Sequence, residues 1–119
     1  MKKKNDKPAS SLSLHIRMQV VGAEKVALGP GKADLLELIE ETGSLSEAAK
    51  RMEMSYMKAW TLAQTMKPFV QFTRGGHQRG GAKLTTAGKQ ALELYRRMGK
   101  NGLKAIQADW RAFQCLLAD

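Results

Sequence analysis

Residues 11–20 alternate apolar and polar positions without a fault. Leu12, Leu14, Ile16, Met18 and Val20 fall on one side of an extended chain, and Ser11, Ser13, His15, Arg17 and Gln19 fall on the other. Period two marks a strand with one buried face, so a strand is expected over 11–20, with His15 on its exposed face. Gly22, Ala23 and Glu24 can turn the chain, and Lys25–Leu28 can return as a second strand, completing an N-terminal β-hairpin. At Gly29-Pro30-Gly31 the period changes. Leu35, Leu36, Leu38 and Ile39 recur at helical spacing with Glu37, Glu40 and Glu41 outside them. The pattern predicts a helix from Lys32 that stops at Gly43, a residue able to adopt the left-handed cap.

From Gly43 to Phe69 the pattern predicts two short helices and a tight turn. Ser44 with Glu47 three residues later reads as a capping box, and Ala48 and Ala49 are small enough for close helix approach. Met52-Glu53-Met54 makes the turn. Ser55 caps the next helix, which runs from Tyr56 to about Met66 and ends before Pro68, because the residue preceding proline disfavours the helical region. Ala59, Leu62, Ala63 and Met66 share its core face, and Trp60 is expected to seal one edge of that core. Tyr56, Met57, Lys58, Thr61, Gln64 and Thr65 point the other way.

A strand is expected at Val70–Arg74 and another around Leu84, joined by the glycine-rich run Gly75–Gly81. Thr85 or Thr86 then caps a long helix with an apolar stripe at Ala91, Leu94, Tyr95 and Met98. Gly99, Asn101 and Gly102 weaken helicity, each glycine by about 1 kcal/mol relative to alanine, and a kink or break is expected there. Leu103, Ile106, Trp110, Phe113 and Leu117 resume the stripe at helical spacing. A terminal stripe carrying Trp110 and Phe113 needs a covering surface, expected to be the same stripe or the N-terminal strand of a second copy.

These elements give an α+β, mostly helical class: a winged helix-turn-helix with an N-terminal β-hairpin and a long C-terminal helix for dimerisation. A length of 119 residues suits one domain. Its expected organisation is a disordered basic tail over 1–10, the winged helix over 11–98, and a helical dimerisation element over 99–119. No apolar run approaches the roughly 18 residues that span a bilayer. The basic start has no apolar segment after it, so the cytoplasm is expected. The lone cysteine, Cys115, sits among Phe113, Leu116 and Leu117 and reads as a small buried hydrophobe. No set of Cys, His and carboxylates has metal spacing, and no cofactor is expected.

Charge sharpens the picture. The formal net charge is +9, but its distribution says more. Residues 32–47 set Lys32 against Asp34, Glu37, Glu40, Glu41 and Glu47. From Met54 to Leu92 the only charged residues are Lys58, Lys67, Arg74, Arg79, Lys83 and Lys89, all cationic. A separated basic region of this kind fits a polyanionic partner. The first turns of such a second helix make most base contacts, which ranks Tyr56, Lys58 and Thr61 ahead of Gln64 and Thr65, with Ser55 at the cap. In the hairpin, His77, Gln78 and Arg79 place donors at a tip where glycines allow close backbone approach to phosphate, and Arg74 and Lys83 stand at its base. The run lacks the ending of a P-loop and the spacing of a dinucleotide fingerprint.

GPGKADLLELIEETGSLSEAAKRMEMSYMKAW and TRGGHQRGGAKLTTAGKQALELY resemble the N-terminal DNA-binding domain of the bacterial molybdate-responsive, ModE-type transcriptional regulators, a winged helix related to that of LysR-type regulators. The resemblance rests on GSLSEAA, on Ser55, Tyr56, Ala59 and Trp60, and on Gly75, Gly76, Gly80, Gly81, Ala82, Leu84 and Thr85. His77, Gln78 and Arg79 depart from it, since the family's wing is often glycine nearly throughout. Full-length members continue into paired oxyanion-binding β-barrels, for which 119 residues leave no room. The resemblance therefore implies the DNA-binding half without the sensor, a regulator acting on double-stranded DNA with no effector site evident; the homodimer is expected from the C-terminal stripe alone. A non-specific architectural protein and a winged-helix protein-interaction module stand as alternatives. An enzyme is not expected, because no acid–base set accompanies His77 and Arg79.

Overall fold

The computed structural model describes residues 12–22, 26–73 and 81–117. Their elements are β1 (Val20–Val21), β2 (Val26–Leu28), α1 (Pro30–Thr42), α2 (Leu45–Arg51), α3 (Tyr56–Gln64), β3 (Val70–Phe72), β4 (Ala82–Leu84), α4 (Thr86–Ala105) and α5 (Gln107–Leu117). They fall into two compact units. Among the described residues, one spans Arg17–Arg96, and the other joins 12–16 with 97–117.

In the Arg17–Arg96 unit, α1 starts at Pro30, two residues before the expected Lys32. Proline suits a first helical turn because its missing N–H would have no partner there in any case. The helix stops at Gly43, whose φ of 69° is left-handed and whose N–H donates to the Ile39 carbonyl. Leu35, Leu36 and Ile39 of α1, Leu45, Ala48 and Ala49 of α2, and Ala59 and Ala63 of α3 are buried together. The alanines let three short helices pack closely, and Met66, Val70, Ala82, Leu84 and Tyr95 close the same core.

The cap of α2 is only half a capping box. Ser44 Oγ accepts from the Glu47 N–H at 3.0 Å, but the Ser44 N–H donates to Thr42 Oγ1 at 3.1 Å. With the reciprocal donor taken, the Glu47 carboxylate lies 3.5 Å from Lys50 Nζ instead. The turn into α3 passes through Glu53 at φ 57°, a left-handed conformation unusual for a side-chain-bearing residue.

The expected N-terminal strand shrinks to β1. Residues 12–19 form no strand, and Leu12, Ile16 and Val20 are exposed. The pairing with β2 explains the cut. Val20 opposes Leu28 in antiparallel register, so continuing the ladder would set Met18 against Pro30, which has no N–H to give and already belongs to α1.

β3 and β4 pair antiparallel with Val70 opposite Leu84, Gln71 opposite Lys83 and Phe72 opposite Ala82. The Ala82 N–H donates to the Gly43 carbonyl at 3.2 Å, which ties the hairpin root to the α1–α2 junction. Thr85 then caps α4, accepting from the Gly88 N–H at 3.0 Å, while its hydroxyl donates to the Pro68 carbonyl at 2.8 Å. Gly88 is required here: a Cβ would overlap the Phe69 carbonyl oxygen and lie 3.0 Å from its carbon. Further along α4, the Tyr95 hydroxyl donates to the Met18 carbonyl at 2.8 Å.

In the other unit, α4 continues through Gly99 and Gly102 to Ala105, so the break expected there is displaced to Ile106. At that point Gln107 Nε2 donates to the Leu103 carbonyl at 3.0 Å and the Trp110 N–H donates to the Ile106 carbonyl at 2.9 Å. A side-chain amide thus satisfies one end carbonyl of α4 while Ile106 opens α5. Trp110 and Phe113 stack with centroids 5.9 Å apart. Cys115 is exposed, not buried as its apolar neighbours suggested, because α5 has no buried residue in this chain.

Candidate nucleic-acid interface

α3 is held by its narrow side. Ala59 and Ala63 are fully buried, and Ser55 fixes the start by accepting from the Lys58 N–H at 3.0 Å. The helix ends at Gln64 with Thr65 as its cap, two residues before the expected end, and Thr65 Oγ1 donates back to the Leu62 carbonyl at 2.6 Å. Ser55, Tyr56, Met57, Lys58, Trp60 and Thr61 are exposed, and Gln64 is half-buried.

Trp60 does not seal the core as expected. It is 40% exposed and stands one turn beyond Tyr56, which is 41% exposed. Residues four apart share a helix face, so the two aromatics form an outward pair. At 3.6 residues per turn Trp60 falls about 100° around the helix from the buried Ala59, which carries it off the core arc. Met57 is 63% exposed. Its place on the outward arc is visible in the periodicity, and it brings no hydrogen-bond donor to that face.

On the hairpin, Gln71 and Lys83 oppose each other and are exposed, while Val70, Ala82 and Leu84 face the core. Lys83 is therefore brought to an outward face of the same unit as α3. Arg74, His77, Gln78 and Arg79 lie outside the described residues.

The acidic helix is largely neutralised by the fold. Arg96 Nη2 donates to Asp34 Oδ1 at 2.9 Å and to Glu37 Oε1 at 2.6 Å. Burial alone would lower the Arg96 pKa, but the hydrogen bonds to Asp34 and Glu37 outweigh it and the pKa is raised. Glu41 pairs with Arg51 at 3.4 Å and Glu40 with Lys89 at 3.8 Å. Lys89, one of the six cations in the acid-free segment, is thus committed to α1. Among the described residues, Lys58, Lys67 and Lys83 make no ion pair. The arrangement is a basic, partly aromatic helix face with the α1 carboxylates engaged elsewhere. No group of three His, Cys, Asp or Glu among the described residues could hold a metal, and none of their helices is long and apolar enough to cross a membrane.

The chain is 40% identical to the molybdenum transport protein ModE of Azotobacter vinelandii, over 59% of this chain and 28% of that protein. It is 31% identical to the transcriptional regulator ModE of Haemophilus influenzae, over 72% of this chain and 34% of that protein. This chain is similar to the ModE-type regulators. It spans about a third of the length of these relatives. No family model matches it. In structure it is similar to FabT of Streptococcus pneumoniae, solved in complex with DNA, with a TM-score of 0.54 over 73% of this chain and 65% of that one, at 16% identity. That likeness identifies the fold as a winged helix.

The residues behind the ModE-like resemblance divide by what they touch. Ala59, Ala82 and Leu84 are core, Ser55 and Thr85 are caps, and Gly81 bridges to Ser44 through the backbone. Among the described ones, Tyr56 and Trp60 are the aromatic residues, and both are exposed. A ModE-like sequence thus spends most of its described signature on building the frame and two residues on the surface of α3.

Proposed function

We propose that this chain is a ModE-like, sequence-specific regulator that binds double-stranded DNA through α3 and the β3–β4 hairpin. The observation that carries the reading is the outward face of α3, where Tyr56, Lys58, Trp60 and Thr61 are exposed on a helix without an acidic residue. The relatives' names as transcriptional regulators and the DNA bound by FabT support it. Lys58, Lys83, Arg74 and Arg79 supply phosphate contacts, His77 and Gln78 add donors at the wing tip, and Ser55, Tyr56, Thr61 and Gln64 face the groove. Within these residues DNA binding is the assigned activity, and oxyanion sensing is not assigned to them. The proposed setting is the cytoplasm, on the nucleoid.

The active form is proposed to be a homodimer joined through the 99–119 region. In that unit Leu14, Ile106, Asp109, Trp110 and Phe113 line an open apolar groove of about 420 Å³, and Phe113 is 51% exposed. Phe113→Glu should convert a dimer to a monomer in sedimentation, and an unchanged mass would place the contact elsewhere.

Selection of bound sequences from random duplexes tests the function directly. The reading expects one enriched motif with two symmetric half-sites. Uniform recovery of all duplexes would instead indicate an architectural protein, and no recovery would indicate a protein-interaction module.

A further inference from the structure

The proposed interface has an apolar centre. With 3.6 residues per turn, Met57 and Thr61 fall on the arc of α3 opposite the buried Ala59 and Ala63. Met57 is the most exposed large apolar side chain of that helix. Thr61 Oγ1 donates to the Met57 carbonyl at 2.9 Å, so its hydroxyl proton is used within the helix. What Thr61 retains for a partner is a methyl group and an acceptor lone pair. The cation Lys58 stands to one side of this arc and the Tyr56–Trp60 pair to the other. Gln64, a residue with amide donors on the same arc, is half-buried.

A major-groove edge offers one prominent apolar feature, the C5-methyl of thymine. We infer that α3 reads thymine through apolar contact: Met57 and the Thr61 methyl are specificity-determining residues that pack on thymine methyls within each half-site. The inference rests on the proposed DNA binding and names what that interface selects. It makes Met57 a recognition residue, a role that a ranking by hydrogen-bonding capacity passes over.

Deoxyuridine tests it, because it removes the methyl and keeps every hydrogen-bonding group of thymine. Each thymine of the duplex chosen by random selection is replaced in turn, and affinity is read by fluorescence anisotropy. The expected result is a loss of about fourfold at one or two positions per half-site, the effect of one buried methyl-sized group. Met57→Ala should weaken binding to the thymine duplex and erase the deoxyuridine penalty at its position. Thr61→Ser, which keeps the hydroxyl bond and deletes the methyl, should erase the penalty at the neighbouring one. Tight binding with no penalty at any thymine, or a penalty unchanged in both variants, overturns this inference and leaves the DNA-binding reading standing. Half-sites selected without thymine also overturn it. If no duplex is selected, both readings fall.

Discussion

Gly88 and Gly102 lie in the same helix, yet alanine should act on them with opposite sign. At Gly88 a Cβ would overlap the Phe69 carbonyl oxygen and lie 3.0 Å and 3.1 Å from the carbonyl carbon and Cα of Phe69. These are backbone atoms, so no side chain can swing aside. Overpacking costs about 1–3 kcal/mol. Moving Phe69 also disturbs the bond from the Thr85 N–H to its carbonyl, now 2.9 Å, which adds about 1 kcal/mol. Alanine returns about 0.4–1 kcal/mol through the unfolded chain. Gly88→Ala should therefore destabilise by about 2 kcal/mol, lowering Tm by about 8 °C in a chain of this size. At Gly102 a Cβ meets nothing within 4 Å, so Gly102→Ala should gain up to about 1 kcal/mol of helix propensity. Thermal melts followed by circular dichroism decide the matter. A Gly88→Ala protein melting at or above the parent, or both variants shifting the same way, would refute the packing assigned to the start of α4.

Ser55→Ala should cost about 1 kcal/mol in the melt by leaving the Lys58 N–H uncapped. Ser55→Asp should keep the cap and its stability but weaken duplex binding, since the new charge faces phosphate; equal affinity would show that the α3 start stands off the DNA. Arg96→Ala removes two ion pairs whose arginine side is 41% exposed. Urea titration should show a loss of no more than about 1 kcal/mol, because solvent screens such pairs, and the difference should shrink in 1 M NaCl.

Helix ends were the most legible part of this sequence. Gly43, Ser44, Ser55 and Thr85 each act at the end where they were expected, because a cap depends on residues a few positions away. Features that depend on distant partners were less legible. The alternation of residues 12–20 predicted which side chains share a side, but a strand also needs a ladder, and β2 ends where Pro30 starts α1. Trp60 was expected to seal one edge of the core because of its size, whereas its position about 100° around α3 from Ala59 leaves it 40% exposed. Gly99 and Gly102 were expected to break α4, yet a propensity cost of about 1 kcal/mol each did not stop a helix of 20 residues.

The basic segment was legible as composition, and its use was not. Lys89 pairs with Glu40 and Arg96 with Asp34 and Glu37, so part of the positive charge near α1 is spent on its own acids. Only the fold separates those cations from Lys58 and Lys83. Met57 was visible on the outward arc of its helix, but its relevance emerged from its exposure beside the self-bonded Thr61 hydroxyl.

The central claim is that α3 meets the DNA backbone and groove. Its most direct test is the affinity of the selected duplex across a NaCl series, measured by anisotropy for the parent and for Lys58→Ala. Lys58 is exposed and makes no ion pair among the described residues. The account predicts steeply salt-dependent binding by the parent and a slope of log K against log salt smaller by about one unit in the variant, the loss of one phosphate contact. Binding indifferent to salt, or identical slopes and affinities for the two proteins, would contradict it.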